Sequence, residues 1–328
     1  MATLDATARR TSALPLVLLV PLLAALVLIA RAAGLGDVEV AETFVLIFTS
    51  IVIEALPFIL LGALVSAGIE VFVPHTWFDR LARAPAALQL PGAALGGMAF
   101  PVCECGSVPV ARRLIARGMH PAAGIAFMLA APIVNPVVLF STWVAYAGRG
   151  LGAEMVMGRA VLGVVLAIAA GWALGGERGD EMLRERDEPV HRTGSKPRAF
   201  ADHLAGDFFF MGRFVVLGGA LAALLQTALP QSLVTGVATT PVVGALALMG
   251  VAFVLSLCSE ADAFVAVSFT PFPIGAQMAF LVFGPVVDAK LALLYGATFR
   301  RRFVLRLVTV AVPVTLAGSL WFEALVLR

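Results

Sequence analysis

The sequence predicts an all-α polytopic membrane protein. It is read as an inverted repeat of three transmembrane helices plus one re-entrant helical hairpin per half, with an extra N-terminal helix. Three observations lead there. First, 60% of the 328 residues are hydrophobic, mean hydropathy is +0.97, and only 13% are charged, about half the share of a soluble domain. A soluble chain of this length lacks the interior to hide so much apolar surface, so lipid must be its solvent. Second, apolar runs of bilayer length recur along the chain. Third, the two halves share an internal repeat. The three cysteines exclude a secreted disulfide scaffold. A net charge of +2 and the lack of any DNA-reading motif speak against nucleic-acid partners.

Runs able to cross ~30 Å of hydrocarbon are read over 14–31, 44–72, 121–147, 155–175, 208–229, 275–298 and 303–324. Arg9 and Arg10 before Leu14 mimic a signal peptide, but the apolar run is long for one and reads as an uncleaved helix. Two further stretches, 91–117 and 241–271, carry Cys, Glu and Pro and do not read as plain spans. The polar stretch 176–206 mixes acids and bases with Gly and Pro, as a solvated tether does. The organisation expected is therefore 1–43 as an N-terminal helix and loop, 44–175 as a first repeat, 176–206 as a charged linker and 207–328 as a second repeat.

The repeat is visible in AFMLAAPIVN (126–135) against AFLVFGPVVD (279–288), with Cys103-Glu104-Cys105 matching Cys258-Ser259-Glu260 at nearly the same offset. Gly62 and Pro74 correspond to Gly218 and Pro230. The positive-inside rule sorts the bases cleanly only if 91–117 and 241–271 turn back within the membrane. Arg80, Arg83, Arg112, Arg113, Arg117, the linker bases, Arg213 and Arg300–Arg302 then share the cytoplasmic side with the N-terminus. The outer side receives only Arg31, Arg149, Arg159 and Arg328. Three crossings per half give odd parity, hence inverted repeats of the kind many secondary transporters use.

The same geometry places polar residues at mid-depth. Asn135 and Asp288 fall near the centres of equivalent spans, beside Pro132, Pro136 and Pro285, which with Pro109 are read as helix breaks. The hairpin tips bring Cys103, Glu104, Cys105, Ser107, Cys258, Ser259, Glu260 and Asp262 to a similar depth, and Glu54 and Lys290 lie within spans. An ionised side chain there costs roughly 2.5–3.5 kcal/mol or more unless paired, protonated or hydrated, so a functional set is expected, some of whose members pair with Lys290. Cys103, Cys105 and Cys258 read either as small hydrophobes or as a possible soft metal site. Cys-X-Cys lacks the redox spacing of Cys-X-X-Cys. His75, His120, His191 and His203 are expected in the interface or linker. Gly92/Gly96 and Gly171/Gly175 are expected to mark close helix packing. Nothing resembling a P-loop, HExxH or nucleophile elbow is present, so neither an enzyme nor a cofactor is expected.

The stretch PVCECGSVPVARRLIARGMHPAAGIAFMLAAPIVNP (101–136) resembles the signature of the predicted permease family that includes YraQ-like proteins and ArsP-type organoarsenical efflux permeases. EALPFILLGALVSAG (54–68), LSLCSEADAFVA (255–266) and FGPVVDAK (283–290) are similar to its other motifs. The resemblance implies a multi-pass permease of the cytoplasmic membrane exporting a small thiophilic or metalloid-related solute. Some members work beside a second small membrane or exported subunit. The alternative it leaves open is a non-transporting subunit or scaffold of a two-protein envelope complex.

Overall fold

Apolar residues predominate from Val38 to Phe72, and the stretch forms one helix, α1 (Val38–Phe72), that continues through Pro57. The computed structural model describes residues 38–74, 86–97, 102–176, 182–184, 195–228 and 240–326. The expected first helix over 14–31 and the bases Arg9, Arg10, Arg31, Arg80 and Arg83 lie outside these residues, as do His75 and His191. Within them the secondary structure is helical, apart from an isolated bridge between Leu183 and Phe299.

Following α1 come α2 (Ala86–Gly96) and α3 (Glu104–Ala116), too short to cross a bilayer singly. Then come α4 (Pro121–Val134), α5 (Pro136–Ala147) and α6 (Gly152–Leu174). The second half consists of α7 (Lys196–Ala228), α8 (Pro241–Leu255), the short α9 (Asp262–Ala266), α10 (Ile274–Phe283), α11 (Ala289–Thr298) and α12 (Arg301–Val326). Among the described residues, five helical stretches are long and apolar enough to span: α1, α4 with α5, α6, α7 and α12.

Two structural breaks follow from side-chain chemistry. Asn135 ends α4 and caps α5, its Oδ1 accepting from Val137 N at 2.8 Å, with Pro136 at the first position of the new helix. Asp288 does the same for α11, accepting from Leu291 N at 2.6 Å. The expected breaks at Pro132 and Pro109 do not occur at those residues, since α4 and α3 run through them. Helix α7 begins at Lys196, so the end of the stretch read as linker is helical.

The halves pack by one pattern. Helix α2 lies on α4 and α6 as α8 lies on α10 and α12, while α5 contacts α6 and α9 as α11 contacts α12 and α3. Equivalent helices meet across the interface running antiparallel. Ser66 near the end of α1 bonds Asp207 near the start of α7, whereas Gly219 late in α7 approaches Ile51 early in α1. Gly158 early in α6 faces Phe322 late in α12 in the same sense. Gly171 and Gly175 press against Ala122, so a Cβ there would meet backbone at 2.6 and 2.5 Å; Gly92 and Gly96 have no such neighbour, against the expectation for that pair.

Candidate functional site

The two segments expected as hairpin tips are built differently. At the first, Cys103 precedes α3, and Gly106 and Ser107 donate their amides to its carbonyl at 3.1 and 3.0 Å. Gly62 of α1 is what lets the tip in so far: a Cβ there would lie 2.5 Å from Gly106 Cα. At the second tip α8 ends on Ser256 in the left-handed region (φ 47°), and its hydroxyl accepts from Ala289 N at 3.1 Å, tying the tip to the start of α11. Gly218 of α7 gives α11 similar room, since a Cβ there would meet Lys290 Cα at 2.6 Å.

Between the tips is a cavity of about 180 Å³ bounded by α1, the end of α7, both tips and α11. Glu54, Cys103, Glu104, Cys105, Cys258 and Lys290 line it, and Gln226 and Ser256 contribute polar groups that the sequence reading did not single out. Lys290 Nζ donates to Glu104 Oε1 at 3.0 Å and lies 3.6 Å from Asp288 Oδ2; all three side chains are buried. Ser259 Oγ donates to the other Glu104 oxygen at 3.2 Å. The Cys258 thiol donates to Glu260 Oε2 at 2.7 Å. Thus the first tip's carboxylate is held entirely by groups of the second half.

Of the expected residues, Ser259, Glu260 and Asp288 sit one contact from the cavity lining. Ser107 bonds the backbone carbonyl of Glu104 at 3.0 Å, within α3. Asn135 is occupied as a cap, its buried Nδ2 without a partner among the described residues. Asp262 turns away to Arg159, which donates to both its oxygens at 2.8 and 2.7 Å, to Thr142 Oγ1 at 2.8 Å and to the Ser259 carbonyl at 3.2 Å. Arg159 is 0% exposed, so the base read as an outer-side flanking charge is enclosed by protein. A guanidinium near the end of an apolar run resembles a flanking charge until its distant carboxylate is known. Its position inside the run over 155–175 was the available signal.

The cysteines are buried and unpaired, and with Ile59, Ala63, Met211 and Val215 they form one apolar cluster beneath the cavity. Among the described residues no three His, Cys, Asp or Glu side chains converge closely enough to hold a metal ion. The three thiols read as a possible soft site form part of a wall and are not arranged here as a closed ligand set.

A second charged cluster lies toward the end of α1. Arg113 reaches Glu70 and Asp207 at 3.2 Å each, Arg117 pairs with Glu70 at 3.0 Å and donates to the Glu70 and Val73 carbonyls, and Ser66 donates to Asp207 at 2.7 Å. Arg112 and Arg113 are 9% and 6% exposed and His203 is 3% exposed. Arg113 and Arg117, with Glu70 and Asp207, stitch α1, α3 and α7 together, while Arg112 donates to the Arg184 carbonyl at 3.4 Å; His203, expected in the interface or linker, is buried. His120 is exposed and caps α4, accepting from Ala122 N at 3.3 Å.

Comparison with known proteins agrees with this architecture. Residues 40–323 match the model of the ArsP_1 family, described as predicted permease. The chain is 41% identical over 281 residues to the UPF0718 protein YcgR of Bacillus subtilis (strain 168), covering 84% of this chain and 95% of that one. It is 34% identical over 270 residues to a protein of Streptococcus mutans serotype c named as a putative two-component membrane permease complex subunit, covering 80% and 89%. No solved structure matches the chain.

Proposed function

Because this chain belongs to the ArsP_1 family of predicted permeases, we propose that it is a secondary permease of the cytoplasmic membrane whose transport site is the cavity between the two hairpin tips. The observation that carries this reading is the shared cavity itself. Residues from both halves, Glu104 and Lys290 among them, meet around a void of about 180 Å³. Such a site between antiparallel equivalent helices suits an inverted-repeat carrier, in which one half rocks against the other. The first repeat is read as 44–175 and the second as 207–328, with the N-terminus and linker cytoplasmic.

The cargo is read as a small thiophilic, metalloid-related solute moved outward. Three sulfurs on one wall supply soft contacts, and the Glu104–Lys290–Asp288 set supplies fixed charge. The test is transport in proteoliposomes, with a monomethyl trivalent arsenical, antimonite and divalent transition metals as probes. Saturable flux of the arsenical, lost in Lys290→Met, is the expected result; absence of flux with every probe overturns it. A second reading, a subunit of a two-protein complex, is favoured by the name of the Streptococcus mutans relative. A stoichiometric partner retained from native membranes, with phenotype unchanged in Glu104→Gln, would select it.

A further inference from the structure

The acids around the cavity divide by what their oxygens already do. Both Glu104 oxygens are engaged, by Lys290 and Ser259. Asp288 caps α11 and faces Lys290, Glu260 accepts from Cys258, and Asp262 is gripped by Arg159. Glu54 differs. It lines the cavity, is half-buried, and makes no hydrogen bond or ion pair among the described residues.

Resting on the permease reading, the geometry points to Glu54 as the proton-exchanging group of the transport cycle, with Glu104 and Lys290 acting as an internal ion pair. The ligand of Glu54 is a proton and not a metal cation. The titratable groups facing it are Glu104 and Cys105 of α3, Cys103 ahead of α3, Cys258 of the second tip, and Lys290 of α11. Helix α7, also packed on α1, contributes Gln226 to the lining. The Lys290 ammonium repels a second fixed cation, and the remaining walls are mainly apolar, from Leu46, Ile47, Ile51, Ala55 and Leu257, with the Ser50 and Ser256 hydroxyls and the Gln226 amide among them. A single carboxyl can exchange a proton without the shell of oxygens that a metal ion needs. Pro57, one turn further along α1, removes one helical donor, and a helix bends most easily at such a point. Glu54 thus lies beside the joint by which α1 can re-aim it.

The test uses the intact protein in detergent and needs no cargo. N,N′-dicyclohexylcarbodiimide reacts with a protonated carboxyl in apolar surroundings. The acid proton moves to a carbodiimide nitrogen, the carboxylate oxygen adds to the central carbon, and the adduct rearranges to an N-acylurea, so nothing leaves and nothing is oxidised. Peptide mass mapping should place the adduct on Glu54, with yield falling at least tenfold as pH is raised from acid to alkaline, and no adduct on Glu104. Label on Glu104 in place of Glu54, a yield independent of pH, or an unlabelled Glu54 overturns the assignment. In proteoliposomes Glu54→Gln should abolish the acceleration of flux by a proton gradient, and Glu54→Asp should restore it. Gradient-accelerated flux undiminished in Glu54→Gln would overturn Glu54 as the coupling group. Absence of all wild-type flux would instead count against the permease reading.

Discussion

Each hairpin tip is tied across to the opposite half by a buried ion pair, but the two ties are unlike. The second tip is held by Arg159, whose planar fork meets both Asp262 oxygens and also serves Thr142 and the Ser259 carbonyl. The first is held by Lys290, a single ammonium shared between Glu104 and Asp288 at the edge of a cavity. A bidentate guanidinium fixes orientation as well as charge, whereas an ammonium on a flexible stem can change partner without losing its donors. The second tie is therefore the more rigid of the two.

The comparison can be broken most forcefully at Arg159. Arg159→Leu leaves Asp262 buried and unpaired and should cost about 3–5 kcal/mol, read from unfolding titrations in mixed micelles. The Arg159→Leu, Asp262→Leu double variant should recover most of that loss. If the single variant unfolds like wild type, Arg159 is no clamp. Lys290→Met should cost less, about 1–3 kcal/mol, because Glu104 keeps Ser259 and adjoins a cavity that can supply water. Adding Glu104→Gln should restore stability, and a loss matching that of Arg159→Leu would erase the distinction drawn between the ties.

Packing sharpens the same contrast. Gly218→Ala drives a methyl into the Lys290 backbone and Gly62→Ala drives one into Gly106, so each should cost about 1–3 kcal/mol by overpacking. Gly92→Ala, with no neighbour within reach, serves as the neutral control in the same thermal-unfolding series. The smallest effect is expected at the helix break: Asn135→Ala should lose about 1 kcal/mol with the cap, and Asn135→Ser should retain most of it.

Much of this arrangement was legible before any coordinates. Asn135 and Asp288 stood out because equivalent polar residues beside prolines interrupt apolar spans, and the structure makes both of them caps. Glu54, Glu104, Lys290 and the three cysteines converge as their depth implied. What escaped depended on partners far apart in the chain. Nothing local to Arg159 announces Asp262, and nothing near Arg113 announces Asp207. Depth in a membrane is readable from hydropathy, but azimuth around a helix is not when nearly every face is apolar. The burial of His203 escaped for the same reason, since a polar helix start looks solvated until α1 and α3 are packed on it.

The stitching of α1, α3 and α7 by Glu70, Arg113, Arg117 and Asp207 has a kinetic consequence. Together with the Ile59, Ala63 and Met211 plug above it, it makes the cavity a blind alley. If the cavity is the transport site proposed above, passage requires this seal to unfasten. Under that proposal the rate should level off as solute is raised, as at a turnstile and not a tap.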